Sequence, residues 1–440
     1  MTVDRIAAGG RVRSTVPTIA VQAVPRDRPV RLATILCQAL IALTVVSGMI
    51  TTQVTYGFVA IGATLLLLRY QRELRSTHFS FGIIVLASLA AVSLAWSSAP
   101  GVTLARLPAY LSVCLTCAIL GPILGLSRLR STIGNVLRAA TLATAAFGTA
   151  FPGWALGSEV SIGMGWDGPA FSKNYLGLLM AIAFACNLAE PDLKHRRWWH
   201  LITAYVLLRT SSATALGIVF VVITMHLLHR PQRQRRPGRT RPFGRVLALL
   251  LSSFAAIAAV FDVGFVAGVL GRDATFTGRT GIWEYVWQAV KQRPLLGYGF
   301  QSTWGDTDFQ NELARQVGFN VNSAHSGVLD LALSLGAVGI AVQLLLLIAG
   351  LSRTFKAELG RTDRAWARAM IAVVVIDAIS ESVLTNTYVS YLLLVLAALI
   401  QQTKQSGRTM RDGSRPAAMS DHIVTAERTR PTAARTPSAV

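Results

Sequence analysis

Charge is scarce in this chain, and acidic charge scarcer still. Only 14% of the 440 residues are Asp, Glu, Lys or Arg, and 21 acids stand against 42 bases. A soluble domain carries about 25% charged residues, so an ordinary water-facing surface over this length is excluded. Cysteine is nearly absent too: Cys37, Cys114, Cys117 and Cys186 all fall inside apolar runs, where buried free thiols fit better than disulfides. Cys114-x-x-Cys117 has no second Cys or His pair nearby, which excludes a zinc site. A cleavable leader is not evident, because residues 1–29, with five Arg, are too long for a usual basic n-region and no A-x-A site follows the first apolar run. No internal repeat is visible; inverted-repeat transporters show matched broken helices in their two halves, and only the region around Arg209 looks broken here.

What is abundant is apolar sequence, 52% of the chain. Runs of about 17–25 residues, the length that crosses a bilayer core, place spans at about 31–50, 53–68, 79–96, 104–126, 132–151, 174–189, 198–209, 212–228, 245–270, 326–350, 365–383 and 386–402. The fold expected is an all-α polytopic membrane protein with about 12 transmembrane helices and one large periplasmic loop. The net charge of +21 does not indicate nucleic acid, because Lys and Arg cluster in short connections and at the termini, as cytoplasmic membrane loops do. "RPQRQRRPGRTRPFGR" (Arg230–Arg245) alone carries seven Arg. Basic and nearly charge-free connections alternate, so both termini are expected in the cytoplasm. The layout is then a disordered arm over 1–29, helices one to nine over 30–270, the external loop over 271–325, helices ten to twelve over 326–402, and a disordered tail over 403–440.

Two stretches break the rhythm. Trp198–His229 is too long for one span and short for two, so the polar "RTSSAT" (Arg209–Thr214) reads as a turn between short helices. The second stretch is "TGRTGIWEYVWQAVKQRPLLGYGF", Thr277–Phe300. Ile282, Val286, Ala289 and Val290 recur at helical spacing, with Trp283 and Trp287 alongside, and Pro294 ends the run. The spacing predicts an amphipathic helix too short to span, lying at the membrane surface. Gly297 and Gly299 in "LLGYGF" predict close backbone approach.

Three residues on the external side stand out: Arg209, Arg279 and His325. Guanidinium groups bind phosphate bidentately and stay charged, so two arginines suit a pyrophosphate and the charge that grows on a leaving group. Histidine suits removal of a hydroxyl proton near neutral pH. Blander readings stand beside these. An interfacial Arg commonly snorkels to headgroups, a His before a helix commonly caps or packs, and Trp283, Trp287 and Trp304 form an aromatic belt as readily as sugar platforms. Asp377 and Glu381, in or near span eleven, invite a proton-coupling reading, with Glu381 alternatively reaching the external interface. Spacing alone leaves the function open.

The order of motifs narrows it. "KNYLG" (Lys173–Gly177), the Arg209 turn, "TGRTGIWEYVWQAVKQRPLLGYGF" and "NSAHSGVLDLALSLGAVG" (Asn322–Gly339) follow one another. This resembles the O-antigen ligase / polysaccharide polymerase superfamily of bacterial envelope enzymes, most of all its exopolysaccharide-polymerising branch. The resemblance implies an inverting, metal-independent glycosyltransferase of the bacterial inner membrane, without cofactor, whose active site is periplasmic. The implied donor is a glycan on undecaprenyl pyrophosphate. The implied acceptor is a sugar hydroxyl on a second lipid-linked repeat unit, or on lipid A-core in a ligase; a flippase of lipid-linked glycan is the reading from a different class. The same likeness leaves room for a flippase and a chain-length regulator as partners, besides the bilayer itself. Matched motif to motif, Arg209 and Arg279 correspond to the pyrophosphate-contacting arginines and His325 to the histidine that activates the acceptor hydroxyl. Lys173, Asn174, Arg272, Trp283, Ser326 and Asp330 are further candidates for binding substrate. The family commonly places Asn after the His, where this chain has Ser326.

Overall fold

The computed structural model describes residues 27–46, 53–72, 74, 80–152, 165–168, 172–190, 192–229, 279–356 and 359–399. Span nine, the Arg230–Arg245 connection, both terminal arms and Arg272 lie outside the described residues. Within them the regular structure is helical, with no strand. The helices are α1 (Asp27–Val45), α2 (Gln53–Arg69), α3 (Phe81–Val92), α4 (Pro100–Ala150), α5 (Lys173–Ala189), α6 (Arg196–Thr210), α7 (Ala213–His229), α8 (Arg279–Gln292), α9 (Thr307–Val317), α10 (Gly327–Arg353), α11 (Arg361–Ser380) and α12 (Thr387–Leu399).

Three of these, Arg28–Val45, Pro100–Ala150 and Gly327–Arg353, contain stretches long and apolar enough to cross a membrane, and five shorter helices are apolar as well. Their outward faces say what surrounds them. Val54, Phe58, Ile61, Leu65 and Leu68 form a continuous exposed stripe on α2, while Tyr56, Val59, Ala63 and Leu66 are buried on its other face. In water each such side chain would forgo about 1.5–3 kcal/mol of burial; against lipid it forgoes nothing. The chain is an integral membrane protein. α4 corrects one expectation. Arg128 and Arg130, expected in a loop between two spans, lie inside helix, and the chain turns earlier, at Gly125 with φ 66° and ψ 171°. A residue with no Cβ is what that conformation requires.

α5 and α11 run antiparallel and define two ends of the molecule. At one end, Arg130 of α4 pairs with Asp363 at the start of α11, and its Nε stands 3.6 Å from Glu190 just after α5. At the other end the first residues of α5 meet the last of α11 around Glu381. A helix of this length spans about 25 Å.

α10 holds the second break, at Gly336 (φ 62°, ψ −159°), a backbone region that is almost glycine-only. The break strips the Leu333 and Ser334 carbonyls of their helical donors, Ala337 N–H and Val338 N–H. The Pro294–Gly299 segment supplies both sides of the deficit. Tyr298 N–H and Gly299 N–H donate to the Leu333 and Ser334 carbonyls (2.8 and 3.0 Å), while Ala337 N–H and Val338 N–H donate to the Pro294 and Leu295 carbonyls (2.8 and 3.2 Å). Non-helical backbone buried in protein needs this kind of accounting. The glycines of "LLGYGF" make the approach: a Cβ on Gly297 would lie 2.6 Å from the Leu333 carbonyl oxygen. Trp96 Nε1–H and Ser98 N–H bind the same segment from the α3–α4 connection.

α8 shows the expected amphipathic helix, and Ile282, Val286, Ala289 and Val290 are its buried face. That face does not meet the membrane, however. It packs with Trp304, Leu313, Val321, Ala324 and Leu333 into a second small core, because α9 and the first half of α10 fold over it. Protein buries the apolar stripe that an isolated helix would lay on lipid.

Candidate active site

The site is organised by a carboxylate. α11 ends at Ser380, and Glu381 continues in extended conformation (φ −144°, ψ 152°), which aims its side chain between three other elements. Arg279, the first residue of α8, donates from Nη1 to the Ser380 carbonyl (2.9 Å) and from Nη2 to Glu381 Oε1 (2.9 Å). Asn174, one residue into α5, donates from Nδ2 to the same oxygen at 2.6 Å. Nδ1 of His325 stands 3.6 Å from the other oxygen, Oε2. The Glu381 side chain is only 4% exposed and Arg279 19%, whereas His325 is 38% exposed. The imidazole is therefore the member of the cluster most open to an incoming molecule.

His325 is held by its neighbours rather than by its own side chain. It adopts the left-handed backbone conformation, φ 46°, uncommon for a residue with a Cβ and maintained only where surroundings enforce it. Those surroundings are specific. The Ala324 N–H donates to Asp330 Oδ1 at 3.0 Å, and the Ala324 carbonyl accepts from Trp283 Nε1 at 2.9 Å. Ser326 caps α10, its Oγ accepting from Leu329 N–H at 3.5 Å, and the Gly327 N–H donates to the Glu381 carbonyl at 2.9 Å. The turn bearing His325 is thus strapped to α8, to α10 and to the end of α11.

Several candidate residues take on a different character here. Asp330 is buried, and its Oδ1 receives Trp304 Nε1 (2.8 Å) as well as Ala324 N–H; it braces the His325 turn and is closed to a substrate. Trp283 spends its indole N–H on the Ala324 carbonyl of that turn and Trp304 spends its own on Asp330. Ser326 stands where an Asn would serve equally as an N-cap, so the departure from the family pattern leaves the local fold intact.

Arg209 and Lys173 form a second group of cations near the first. Arg209 is exposed at the end of α6, its guanidinium 4.9 Å from the Trp166 ring centroid, and its carbonyl accepts from Trp166 N–H (2.8 Å). Lys173 lies against Gly165, its Cδ 3.3 Å from where a Cβ would sit. The Gly165–Trp166 segment therefore joins Lys173 to Arg209, and Lys173 directly precedes Asn174. The polar turn expected after Arg209 is present: α6 ends at Thr210, and Ser211 is left-handed with φ 53°. Glu381 was visible in the sequence only as an acid near the end of an apolar run. Its role as the meeting point is a product of the fold, since its partners lie 56, 102 and 207 residues away in sequence.

Residues 200–344 match a family model described as O-Antigen ligase, an interval that contains Arg209, Arg279 and His325. The exopolysaccharide production protein ExoQ of Rhizobium meliloti (strain 1021) is 27% identical over 308 residues, covering 64% of this chain and 67% of that protein. The resemblance to the O-antigen ligase / polysaccharide polymerase superfamily, and to its exopolysaccharide branch, is thereby borne out.

Proposed function

We propose that this membrane protein of O-antigen ligase / polymerase type polymerises undecaprenyl-pyrophosphate-linked oligosaccharide repeat units at the periplasmic face, by metal-independent glycosyl transfer with inversion. The observation that carries the reading is the convergence of Arg279 and His325 on one end of α11, with Arg209 and Lys173 close by. In that arrangement the arginines hold the donor's pyrophosphate. His325 takes the proton of the acceptor hydroxyl as its oxygen bonds to the anomeric carbon. The bond from that carbon to the pyrophosphate oxygen breaks on the opposite face, which inverts the centre, and the lipid pyrophosphate leaves with its charge met by the guanidinium groups. Arg279 uses two of the five N–H donors of a guanidinium on Ser380 and Glu381, leaving the others for phosphate. Fixed cations here do what a divalent ion does in other phosphate-releasing enzymes, which is the basis for proposing metal independence. The twelve-span topology with cytoplasmic termini belongs to the same reading, and the antiparallel course of α5 and α11 between the Arg130 end and the Glu381 end supports it.

The test is a reaction of the detergent-purified protein with undecaprenyl-pyrophosphate-linked oligosaccharide in EDTA, for wild type and His325→Ala, with products resolved by gel and mass. The expected result is a ladder of longer lipid-linked glycans that the variant does not make. Transfer only after lipid A-core is added would make the protein a ligase. Passage of labelled lipid across liposomes without any new glycosidic bond would overturn the enzyme reading in favour of transport.

A further inference from the structure

Glu381 lies outside the interval matched by the family model, yet the charges of the site meet on it. What its partners must do during the reaction defines its part, and the inference rests on the glycosyl-transfer reading above. In that reaction Arg279 must face phosphate and His325 must accept a proton. In this structure Arg279 faces Glu381 instead, and the nearest His325 nitrogen stands 3.6 Å from Oε2, beyond hydrogen-bond length.

We propose that Glu381 is a positioning residue that occupies Arg279 until the donor arrives, then yields it to the pyrophosphate and turns its own charge to His325. The physical reason is that a carboxylate this buried cannot stand unpaired. When phosphate draws Arg279 away, the remaining group able to match the charge is the imidazole. Asn174 keeps hold of Oε1 at 2.6 Å, so the carboxylate pivots about that contact, and a movement of about 1 Å brings Oε2 to hydrogen-bond distance of Nδ1. The neutral imidazole then donates from Nδ1 and turns its Nε2 lone pair to the acceptor hydroxyl. As Nε2 takes the hydroxyl proton, Glu381 stabilises the imidazolium; no proton moves to the carboxylate. His325 gains its carboxylate partner only while a leaving group is held, which ties proton removal to a bound donor.

Four charged or titratable groups among the described residues interact with this pair. Arg279 comes from α8, Tyr175 from α5, Asp377 from the last turn of α11 and Asp330 from α10. Asp330 is held by Trp304 and the Ala324 N–H, and Tyr175 OH accepts from Asn386 Nδ2. Arg279 is the cation among these four, and the donor removes it; Lys173 stands beside Asn174, against Gly165.

The experiment compares purified wild type, Glu381→Gln and Glu381→Asp for affinity toward undecaprenyl-pyrophosphate-linked oligosaccharide, for kcat and KM, and for the pH profile of kcat. Gln has the same shape and no charge to compete for Arg279. The expected result is donor binding about three- to tenfold tighter in Glu381→Gln, with kcat at least about 100-fold lower. The acidic limb of the kcat profile should move to lower pH, because the imidazolium has lost its counter-charge. Glu381→Asp should recover part of kcat with donor affinity near that of wild type. Equal or weaker donor binding by Glu381→Gln, an unchanged kcat, or a fallen melting temperature with an unmoved pH limb would overturn the proposal and leave Glu381 a structural anchor. Wild type that binds donor but forms no glycosidic bond would sink the glycosyl-transfer reading separately. The binding comparison would then still decide the exchange, with a tighter Gln variant supporting it and an equal or weaker one overturning it.

Discussion

Gly336→Ala should unfold the active end of the molecule, and its magnitude can be worked from the structure. The residue sits at φ 62°, ψ −159°, a conformation that costs a non-glycine residue about 1–3 kcal/mol. A Cβ there would lie 2.3 Å from the carbonyl carbon and oxygen of Leu295. These are backbone atoms, so no rotamer relieves the contact, and the 294–299 segment must retreat. Retreat strains four reciprocal backbone hydrogen bonds between that segment and the broken helix, each worth about 0.5–1.5 kcal/mol net and more if a buried partner is orphaned. Losing even two raises the total to about 2–6 kcal/mol, a large fraction of the ~5–15 kcal/mol by which proteins are stable. The assay is the thermal midpoint in detergent, beside two controls. Gly318→Ala faces the same positive φ (84°) with nothing within 4 Å and should cost about 1 kcal/mol. Gly57→Ala, inside α2 with open space around it, should be neutral or stabilise by up to about 1 kcal/mol. If Gly336→Ala melts within a degree or two of Gly318→Ala and keeps its activity, the docking of the loop into the helix break is refuted.

Two further expectations follow from the contacts that hold the two ends. Trp283→Phe removes the indole donor from the Ala324 carbonyl while keeping most of the ring; kcat should fall about tenfold through a loosened His325 turn, and equal rates for both proteins would show that the strap is dispensable. Arg130→Ala breaks the ion pair with Asp363 and removes one cation from beside Glu190, which should cost about 3–5 kcal/mol and appear as a lower melting midpoint in detergent. A drop in donor affinity at unchanged stability would instead place Arg130 in communication with the site.

The sequence by itself determined the solvent of this protein. Scarce charge and apolar runs dictate helices in lipid, because only backbone bonded within itself crosses a bilayer, and the exposed stripe on α2 follows from that alone. It also determined α8, whose buried face is the set of four residues spaced at helical period, and the break after Arg209, where a polar turn interrupts an apolar run. Arg209, Arg279 and His325 were legible as motif residues, as charged or titratable chemistry set beside apolar runs. What covers the apolar face of α8 was not legible, since a hydrophobic stripe reads the same whether lipid or protein will bury it. Nor was the bracing role of Asp330 and Trp283, which depends on a left-handed turn that local sequence does not announce. Glu381 shows the limit most clearly. An acid at the end of a span has a meaning only through its partners, and they come from α5, α8 and the turn before α10. Only the tertiary structure decided that the same carboxylate would meet an arginine, an asparagine and the histidine, because charge pairing acts through space and the chain order carries no trace of it.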